Sequence, residues 1–492
     1  MLFNSTEFFI FFPVVVILYF LSPANRRWII LLLASYYFYA SWKPAYTIII
    51  IISTLIDFLC SRAMGRFEDD DKQKRKPYLY ISLFANLGIL LLFKYYNFFN
   101  ESAAGIAAAL NMGYAMPAFE LLLPMGISFY TFQTMSYSID VYHGRIKAER
   151  HLGIFALFVT FFPQLVAGPI ERAENLLGQL KIEHKFEYER VVAGLRRMGW
   201  GFFKKIMIAD NLALMVNQVY NNPTEFEGLS FILATVFFAF QIYCDFSGYS
   251  DIAIGASQVM GFRLMENFRR PYFSKSISEF WSRWHISLSS WFRDYLYIPL
   301  GGNRVVKWRW YYNLFITFLV SGLWHGANWT FVIWGALHGF YLVFAILTTK
   351  QRDAMAKSMG LTSRPLLYKW VQVLTVFVLV CFSWIFFRAN NITDAMYIIQ
   401  HSFTGIGNIG QVFASVDLEH ILFMDQGLKV FAVSVLSIIV METVHLIQRN
   451  GSVSQLITQR PVFIRWSVYY LAIIALLLFG QFGNAEFIYF QF

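Results

Sequence analysis

Long apolar runs recur along the whole chain, and their length constrains the fold more than any other feature. A helix needs roughly 20 mainly apolar residues to cross the hydrocarbon core of a membrane. Hydrophobic residues make up 57% of the 492 residues and charged residues only 14%, which excludes an ordinary soluble domain. The clearest spans are predicted at 8–21, 46–59, 78–93, 229–243, 311–324, 329–347, 371–387, 431–444 and 466–479. With further candidates at 28–40 and 121–139, we predict an all-α polytopic membrane protein of about 11–12 transmembrane helices plus interfacial or re-entrant helices.

The net charge of +10 is distributed unevenly along the chain. Basic residues cluster at 62–76, 181–205 and 263–309. The stretches that contain neither Lys nor Arg are 95–144, 206–262, 310–349, 389–428 and 466–492. This alternation follows the positive-inside rule, so it predicts basic clusters in the cytoplasm and both termini on the outer side. It also favours membrane lipids over nucleic acid as the partner of these charges. We expect 8–21 to be a retained span, because no basic region precedes it and no cleavage site follows it.

The basic and aromatic segment 263–309 does not resemble a simple span. Ser276 and Glu279 form a capping box, which predicts that a helix begins there. Aromatic and aliphatic side chains then follow at helical spacing as far as Tyr295. One interpretation is an amphipathic helix at the cytoplasmic interface that binds anionic head groups. His285 in the middle of the aromatic stripe argues for a functional site instead, because a membrane anchor needs no titratable group.

His325 and His338 lie in a stretch without Lys or Arg, and we expect both at membrane depth. An ionisable group there is costly and is usually retained for function. Their separation does not suit a metal site, and the isolated Cys60, Cys244 and Cys381 suggest neither a metal site nor a disulfide. No G-x-S-x-G motif supports a hydrolase triad. The remaining alternatives are an imidazole hydrogen-bonded between helices and a general base acting on a hydroxyl, since an ordinary histidine pKa of ~6.5 suits proton abstraction.

Acidic residues also occur in apolar surroundings. For Asp57 and Asp210 we favour an interfacial helix cap or a partner for arginine. Asp245, Ser247 and Asp251 lie close together in the sequence DFSGYSD, which is rich in small residues that let helices approach closely. This cluster is either a packing motif or part of a polar pocket.

Two histidine-containing stretches resemble the membrane-bound O-acyltransferase (MBOAT) family, and in particular its bacterial polysaccharide (alginate) O-acetylation branch. They are RWHISLSSWFRDYLYIPLGGNR (283–304) and GLWHGANWTFVIWGALHG (322–339). Further stretches similar to the family are LLPMGISFYTFQTMSYSIDVY (122–142), FFPQLVAGPIER (161–172), QIYCDFSGYSDIAIG (241–255) and MENFRRPYFSKSISEFW (265–281). The resemblance therefore extends through most of the chain.

The resemblance implies a single domain over 1–492, in which helices surround a central tunnel and the catalytic core covers about 120–350. In the family the histidine of the WHG motif is the essential catalytic residue, which corresponds to His325. The histidine of the RWH motif corresponds to His285, and we assign His338 a supporting role. The other residues that we expect to support the site are Trp324, Asn328, Asp245, Ser247, Asp251, Arg293 and Asp294. No metal is expected.

The aromatic sequence FGNAEFIYFQF at 482–492 carries a separate hypothesis. It is either an aromatic belt at the outer membrane interface or a functional motif. It resembles the C-terminal F-x-Y-x-x-F motif of bacterial envelope acylation components. The resemblance implies that Tyr489 receives the acyl group and passes it to an outer partner.

Together these features predict an O-acyltransferase, most simply an O-acetyltransferase, of the bacterial cytoplasmic (inner) membrane. The acyl donor would be acetyl-CoA or an acyl carrier thioester as co-substrate, with no bound cofactor. The acceptor would be an extracytoplasmic polysaccharide, reached with a periplasmic or extracellular SGNH-type acetyltransferase as partner. The alternatives are a D-alanyl-transfer member of the family, which uses a carrier-protein thioester, and a non-enzymatic transporter. A transporter predicts internal repeats with broken helices, which the sequence does not display.

Overall fold

The computed structural model describes residues 1–119, 122–405, 418–448, 451, 453–482 and 487–488. These residues form helices, turns and loops, and no strand is present among them. Seven helices in this part of the chain are long and apolar enough to cross a membrane, namely Pro44–Met64, Lys72–Ala109, Leu229–Met260, Trp329–Leu347, Pro365–Arg388, Gly427–Gln448 and Val462–Phe479. The prediction of a helical, multi-pass membrane protein is confirmed.

The chain divides into two compact units. The first contains Met1–Met198 and Ser250–Glu266, and the second contains Gly199–Tyr249 and Asn267–Phe492. Up to the boundary near Met198 the helices are α1 Thr6–Leu21, α2 Arg27–Ala40, α3 Thr47–Met64, α4 Lys72–Leu90, α5 Tyr96–Ala109, α6 Ile127–Tyr142, α7 Leu152–Thr160, α8 Phe162–Leu165, α9 Ala173–Gln179 and α10 Tyr188–Phe202. The described helices that follow are α11 Asp210–Asn221, α12 Leu229–Met260, α13 Ile277–Arg283, α14 Ile286–Phe292, α15 Lys307–His325, α16 Trp329–Leu347, α17 Thr349–Ser358, α18 Pro365–Arg388, α19 Ile392–His401, α20 Leu418–Ile421, α21 Gly427–Gln448, α22 Val453–Thr458 and α23 Val462–Phe479.

A polar cluster joins α3, α4 and α6 in the first unit. The buried carboxylate of Asp57 accepts hydrogen bonds from Ser82 Oγ at 2.5 Å and from Asn86 Nδ2 at 2.9 Å. Asn86 Oδ1 in turn accepts from Thr134 Oγ1 at 3.0 Å and from Ser53 Oγ at 3.2 Å. Our expectation of a cap or an arginine partner for Asp57 is therefore wrong. Its charge is stabilised by amide and hydroxyl donors from neighbouring helices.

The candidate span at 121–139 has a different form. Its helix begins only at Ile127, after Gly126, which adopts a left-handed conformation with φ of 71°. A side chain at this glycine would place a Cβ 2.6 Å from the carbonyl oxygen of Leu165. Almost every side chain of α6 is buried within the first unit. The polar residues of this helix therefore contact protein rather than lipid, which explains how a segment with so many hydroxyl groups is accommodated.

In the second unit, α15 and α16 form a closely packed hairpin. A Cβ at Gly322 would lie 2.3 Å from the carbonyl oxygen of Phe331, and one at Gly335 would lie 2.4 Å from that of Phe318. Only glycine permits such backbone contact between helices. The hairpin holds the end of α15 beside α16, and both helices carry a histidine of the predicted site.

The amphipathic helix predicted after Ser276 is interrupted. The N-cap at Ser276 is confirmed, because Ser276 Oγ accepts from the backbone N–H of Glu279 at 3.1 Å. The Glu279 carboxylate accepts from the backbone N–H of Lys275 at 2.7 Å rather than from that of Ser276. However, α13 ends at Arg283 and α14 begins at Ile286. Between them His285 has φ of 42° and ψ of 55°, a left-handed conformation that is uncommon for a residue with a side chain. A continuous helix through this segment is therefore the wrong prediction, and the break lies at a predicted site residue.

Candidate active site

His325 is the last residue of α15, and aromatic rings surround it. Its ring centroid lies 4.9 Å from Trp324, 4.9 Å from Trp334 and 5.4 Å from Phe387. Only 2% of the residue is exposed. The helix ends here because Gly326 takes up an extended conformation. A Cβ at Gly326 would lie 2.1 Å from the ring of Phe331, so the glycine of the WHG sequence lets this ring pack against the turn.

His285 is held in its left-handed conformation by Asn267. The backbone N–H of Ile286 donates to the carbonyl oxygen of Asn267 at 2.9 Å. Asn267 Oδ1 accepts from the backbone N–H of Ser287 at 3.1 Å and from its hydroxyl at 2.9 Å, and it lies 3.3 Å from Nδ1 of His285. Because this oxygen only accepts, the hydrogen-bond pattern assigns the proton of the neutral ring to Nδ1. Nε2 then carries the lone pair, which is the arrangement that a base or a hydroxyl-orienting group requires.

The structure brings His285 and His325 together. Their ring centroids are 6.4 Å apart and their planes are inclined by 63°. Trp324 packs against both rings, at 4.9 Å from His325 and 6.0 Å from His285. Two imidazoles at this separation can act on one small reacting group, one as a base and the other as a hydrogen-bonding partner. Trp324 therefore lies beside both imidazoles.

His338 has a different environment on α16. Trp281 Nε1 donates to its Nδ1 at 3.2 Å, and its Nε2 lies 3.0 Å from Ser383 Oγ. Ser383 gives its own proton to the carbonyl oxygen of Val380 at 2.8 Å. Nε2 must therefore carry the proton of the neutral imidazole and donate it to the serine. Since both nitrogens are occupied, His338 links α13, α16 and α18, in keeping with the supporting role assigned to it.

Asn328 acts at the start of α16. Its side-chain oxygen accepts from the backbone N–H of Thr330 at 3.0 Å, which caps the helix, and its Nδ2 donates to the carbonyl oxygen of Asn390 at 3.1 Å. These bonds fix the loop that follows His325. Asn328 thus positions the backbone near the histidines, and its described polar contacts are structural.

A buried ion cluster joins α11, α12 and the turn that precedes α11. Lys205 Nζ lies 2.7 Å from Asp245 Oδ1 and 2.9 Å from Asp210 Oδ1, and each side chain is at most 6% exposed. The neighbouring Lys204 donates to Ser247 Oγ at 2.9 Å. Asp210 therefore pairs with lysine rather than arginine. The charge pattern grouped both lysines with the predicted cytoplasmic cluster at 181–205, and the structure shows that these two members of it are buried.

The apolar sequence around these lysines already indicates that they are buried. Lys204 and Lys205 occur in the apolar sequence GFFKKIMIAD, where solvation of two charges would be difficult. The acids of DFSGYSD lacked assigned partners. A Cβ at Gly248 of that sequence would lie 2.8 Å from the carbonyl oxygen of Gly201, so the glycine lets α12 approach the turn that carries the lysines. The DFSGYSD sequence therefore combines close packing with buried ion pairs.

Three predicted residues lie in other surroundings. Asp251 belongs to the first unit, where its carboxylate accepts from Arg197 Nε at 2.9 Å. The same guanidinium binds both oxygens of Glu266, at 2.7 and 2.6 Å. In the second unit Arg293 is exposed and donates to its neighbour Asp294 at 2.7 Å. Asp251 thus serves an ion network, and Arg293 with Asp294 forms a surface pair.

Phe487 and Ile488, hereafter the docked segment, are almost completely buried. The backbone N–H of Ile488 donates to Asp245 Oδ2 at 2.8 Å. The ring of Phe487 lies 4.9 Å from that of Tyr249 and 5.8 Å from that of Phe246. Tyr489, the predicted relay residue, lies outside the described residues. Within the described part of the aromatic sequence, Phe487 and Ile488 therefore pack inside the second unit, whereas Phe482 is exposed.

A basic cavity, hereafter the basic pocket, opens beside α13 in the second unit. It has a volume of about 260 Å³. Four cationic side chains contribute to its lining, together with Glu279, Trp370 and His445, and they are Arg270, Lys275, Arg283 and Lys369. Arg270 also donates to the carbonyl oxygen of His445 at 3.1 Å. The excess of positive charge suits a ligand that carries phosphate groups.

Comparison with known proteins identifies the family. The family model for MBOAT, the membrane-bound O-acyltransferase family, matches residues 150–387. The probable alginate O-acetylase AlgI of Pseudomonas putida is 39% identical over 408 residues, which cover 82% of this chain and 81% of that protein. The peptidoglycan O-acetyltransferase of Helicobacter pylori is 33% identical over 392 residues, with 74% and 71% covered. The teichoic acid D-alanyltransferase of Bacillus subtilis is 32% identical over 238 residues, with 45% and 58% covered. The chain therefore belongs to the membrane-bound O-acyltransferase family and is a multi-pass membrane acyltransferase.

Proposed function

We propose that the protein is an O-acetyltransferase that transfers an acetyl group from a cytoplasmic thioester to hydroxyl groups of an extracytoplasmic polysaccharide. The observation that carries the proposal is the pair of buried imidazoles, with His285 and His325 6.4 Å apart and Nδ1 of His285 fixed on Asn267. The relatives named for alginate and peptidoglycan O-acetylation support a glycan as the acceptor. The protein would work in the bacterial inner membrane with both termini outside, and a central tunnel would connect the two faces.

In the proposed reaction His325 removes the proton from an acceptor hydroxyl. The oxygen then attacks the thioester carbonyl, and the tetrahedral intermediate expels the thiolate, which takes the proton from the His325 imidazolium. His285, anchored through Nδ1, accepts a hydrogen bond at Nε2 from a neighbouring hydroxyl of the acceptor sugar and so orients the sugar, while the proton of the reacting hydroxyl passes to His325. The aromatic rings around His325 exclude water, so hydrolysis of the thioester does not compete with transfer.

The basic pocket is the proposed binding site for the phosphates of acetyl-CoA. Four cationic side chains in one cavity suit the several phosphate charges of coenzyme A better than the single phosphodiester of a carrier-protein thioester. Lys369→Ala should raise the KM for acetyl-CoA about fivefold to tenfold at low salt with kcat unchanged, because the cation contributes to binding and not to the chemical step. Lys357→Ala, an exposed lysine on α17 outside the pocket, is the matched control. An unchanged KM in Lys369→Ala would contradict this site.

Tyr489 is the proposed relay to the outer face. It follows the docked segment directly in the sequence, and that segment is buried beside Phe246, whose ring contacts His285. The Tyr489 phenol would take the place of the polysaccharide hydroxyl as the first acceptor and form an acetyl ester. The acetyl group would then pass from Tyr489 to an SGNH-type transferase. Intact acetylation of the polymer by Tyr489→Phe in cells would exclude the relay.

The direct test uses proteoliposomes with the protein in one orientation. Labelled acetyl-CoA is supplied on the cytoplasmic face, and a soluble glycan with its partner transferase is supplied on the other face. We expect labelled acetyl ester on the glycan, dependent on the protein. Ester formation from a D-alanyl carrier thioester and none from acetyl-CoA would instead favour the second candidate, which the similarity to the teichoic acid D-alanyltransferase supports.

A further inference from the structure

We propose that Asp245, oriented by Lys205, is a positioning residue that fixes the docked segment behind Phe246, the ring that packs against His285. The inference rests on the proposed function for the meaning of that site. It concerns a carboxylate that the proposed chemistry does not otherwise use. Three features of the second unit support it. The two oxygens of Asp245 bind different partners, ring contacts through Phe246 connect the docked segment to His285, and hydrogen bonds to Asn211 and Ile206 hold the chain that leads to the docked segment.

The two carboxylate oxygens of Asp245 have different partners. Oδ1 pairs with Lys205 Nζ at 2.7 Å, and Oδ2 accepts the backbone N–H of Ile488 at 2.8 Å. Lys205 therefore sets the direction of the second oxygen. A backbone N–H bound to a charged acceptor makes a stronger hydrogen bond than one bound to a neutral acceptor, and burial of the group removes competition from water. One side chain thus links the ion cluster to the docked segment.

The docked segment reaches His285 through a single intervening ring. Phe487 lies 5.8 Å from Phe246, and Phe246 meets the ring of His285 edge-on at 4.6 Å with an angle of 88°. Phe246 follows Asp245 directly in α12, so one turn of helix holds both the anchor and the ring. Displacement of the docked segment would remove the support behind Phe246 and would weaken one of the ring contacts that hold the His285 side chain in place.

A second anchor holds the chain where it leaves α23. Asn211 Nδ2 donates to the carbonyl oxygen of Phe479 at 3.1 Å. The backbone N–H of Gln481 donates to the carbonyl oxygen of Ile206 at 3.2 Å. The side-chain Nε2 of Gln481 donates to Asn211 Oδ1 at 3.2 Å. These contacts lie within a few residues of Lys205 in the sequence. The stretch around Lys205 therefore fixes the chain both at the end of α23 and, through Asp245, at Ile488.

The test measures the accessibility of the docked segment separately from catalysis. Cys60, Cys244 and Cys381 are replaced by alanine, and Phe487→Cys is introduced as a site for a soluble maleimide. Labelling should be slow, because Phe487 is 1% exposed. Asp245→Ala should raise the labelling rate about tenfold to a hundredfold, the loss expected for a buried hydrogen bond to a charged group. In the chain that retains Phe487, Asp245→Ala should lower acetyl transfer by at least about tenfold.

Asp210→Asn is the matched control, because it perturbs the same lysine without touching the docked segment. Its labelling rate should remain within about twofold of the parent. Ile488→Pro provides a second route that keeps the ion cluster intact: it removes the N–H that Asp245 binds and should reproduce the rise in labelling and the loss of transfer.

Slow labelling in folded Asp245→Ala and Ile488→Pro would overturn the proposal, and so would rapid labelling with unchanged acetyl transfer. Failure of the proposed function is distinguishable from both results. Retained transfer in His325→Ala would refute the function, whereas the labelling rates would still report whether Asp245 holds the docked segment.

Discussion

The three buried histidines of the predicted site, His285, His325 and His338, fall into two environments that differ in what their ring nitrogens contact. His338 has a donor on Nδ1 and a hydroxyl on Nε2, so its hydrogen-bonding capacity is used within the protein. His285 is anchored through Nδ1 on an amide oxygen. His325 lies among aromatic rings, and its ring centroid is 6.4 Å from that of His285. Burial alone therefore does not distinguish a reacting imidazole from a structural one. The partners of the two nitrogens differ, and substitutions at these positions test whether that difference separates a reacting imidazole from a structural one.

The largest effect is expected for His325→Ala. General base catalysis contributes roughly a hundredfold to ten-thousandfold, so acetyl transfer should fall by at least about a hundredfold. The folded protein should persist, as judged by thermal unfolding in detergent and by its elution profile. Transfer within tenfold of the parent, with intact protein, would remove His325 from the reaction.

A smaller loss is expected when the anchor of His285 is removed. Asn267→Ala deletes the acceptor that holds Nδ1, so the neutral ring can adopt the other tautomer and its backbone conformation loses support. We expect kcat to fall about tenfold to a hundredfold while the KM for acetyl-CoA changes little. Asn267→Asp is the matched comparison, because it keeps the acceptor oxygen and should retain more activity than alanine. Equal activity of the two variants would contradict an acceptor role.

His338→Ala should have the opposite signature. It leaves Trp281 Nε1 and Ser383 Oγ without their partner and opens a cavity among aromatic side chains, so the free energy of unfolding should fall by about 2–4 kcal/mol. Acetyl transfer per folded molecule should stay within about threefold of the parent, well short of a catalytic loss. Thermal unfolding and single-turnover transfer, measured on the same sample, separate the two quantities. A catalytic loss as large as that of His325→Ala, without a loss of stability, would erase the distinction.

The sequence supports some parts of this site better than others, for physical reasons. Apolar run length predicts the spans, and local motifs identify His285, His325 and His338, because both signals lie within a few turns of chain. The left-handed conformation of His285 depends on Asn267, which lies 18 positions earlier. The burial of Lys205 depends on Asp245, which lies on a different helix, α12. Such pairings arise only from tertiary packing, so the sequence predicts neither the break at His285 nor the pairing of Lys205 with Asp245, and the continuous helix expected at 276–295 is wrong.

The smallest effect concerns a buried acid in the first unit, outside the membrane-spanning helices, and it tests whether a structural group can be recognised by its response to pH. Burial raises the pKa of Glu171 from its ordinary value of 4.5 to about 7, and hydrogen bonds from the Met265 N–H and the Asn175 amide only partly offset that rise. The protonated form is therefore favoured in the folded state. Its stabilising contribution should be complete below about pH 4.5, decline between pH 4.5 and 7, and be absent above pH 7.

Glu171→Gln should remove this dependence, because a neutral amide does not titrate. The exposed Glu174→Gln is the matched control and should keep the parent's dependence on pH. The measurement is the midpoint of thermal unfolding from pH 4 to pH 8, with acetyl transfer per folded molecule followed in parallel. A structural acid should change the unfolding midpoint with pH and leave the transfer rate of the variant close to that of the parent. If Glu171→Gln instead altered the pH profile of transfer and left that of unfolding unchanged, Glu171 would belong with His285 and His325 rather than with His338.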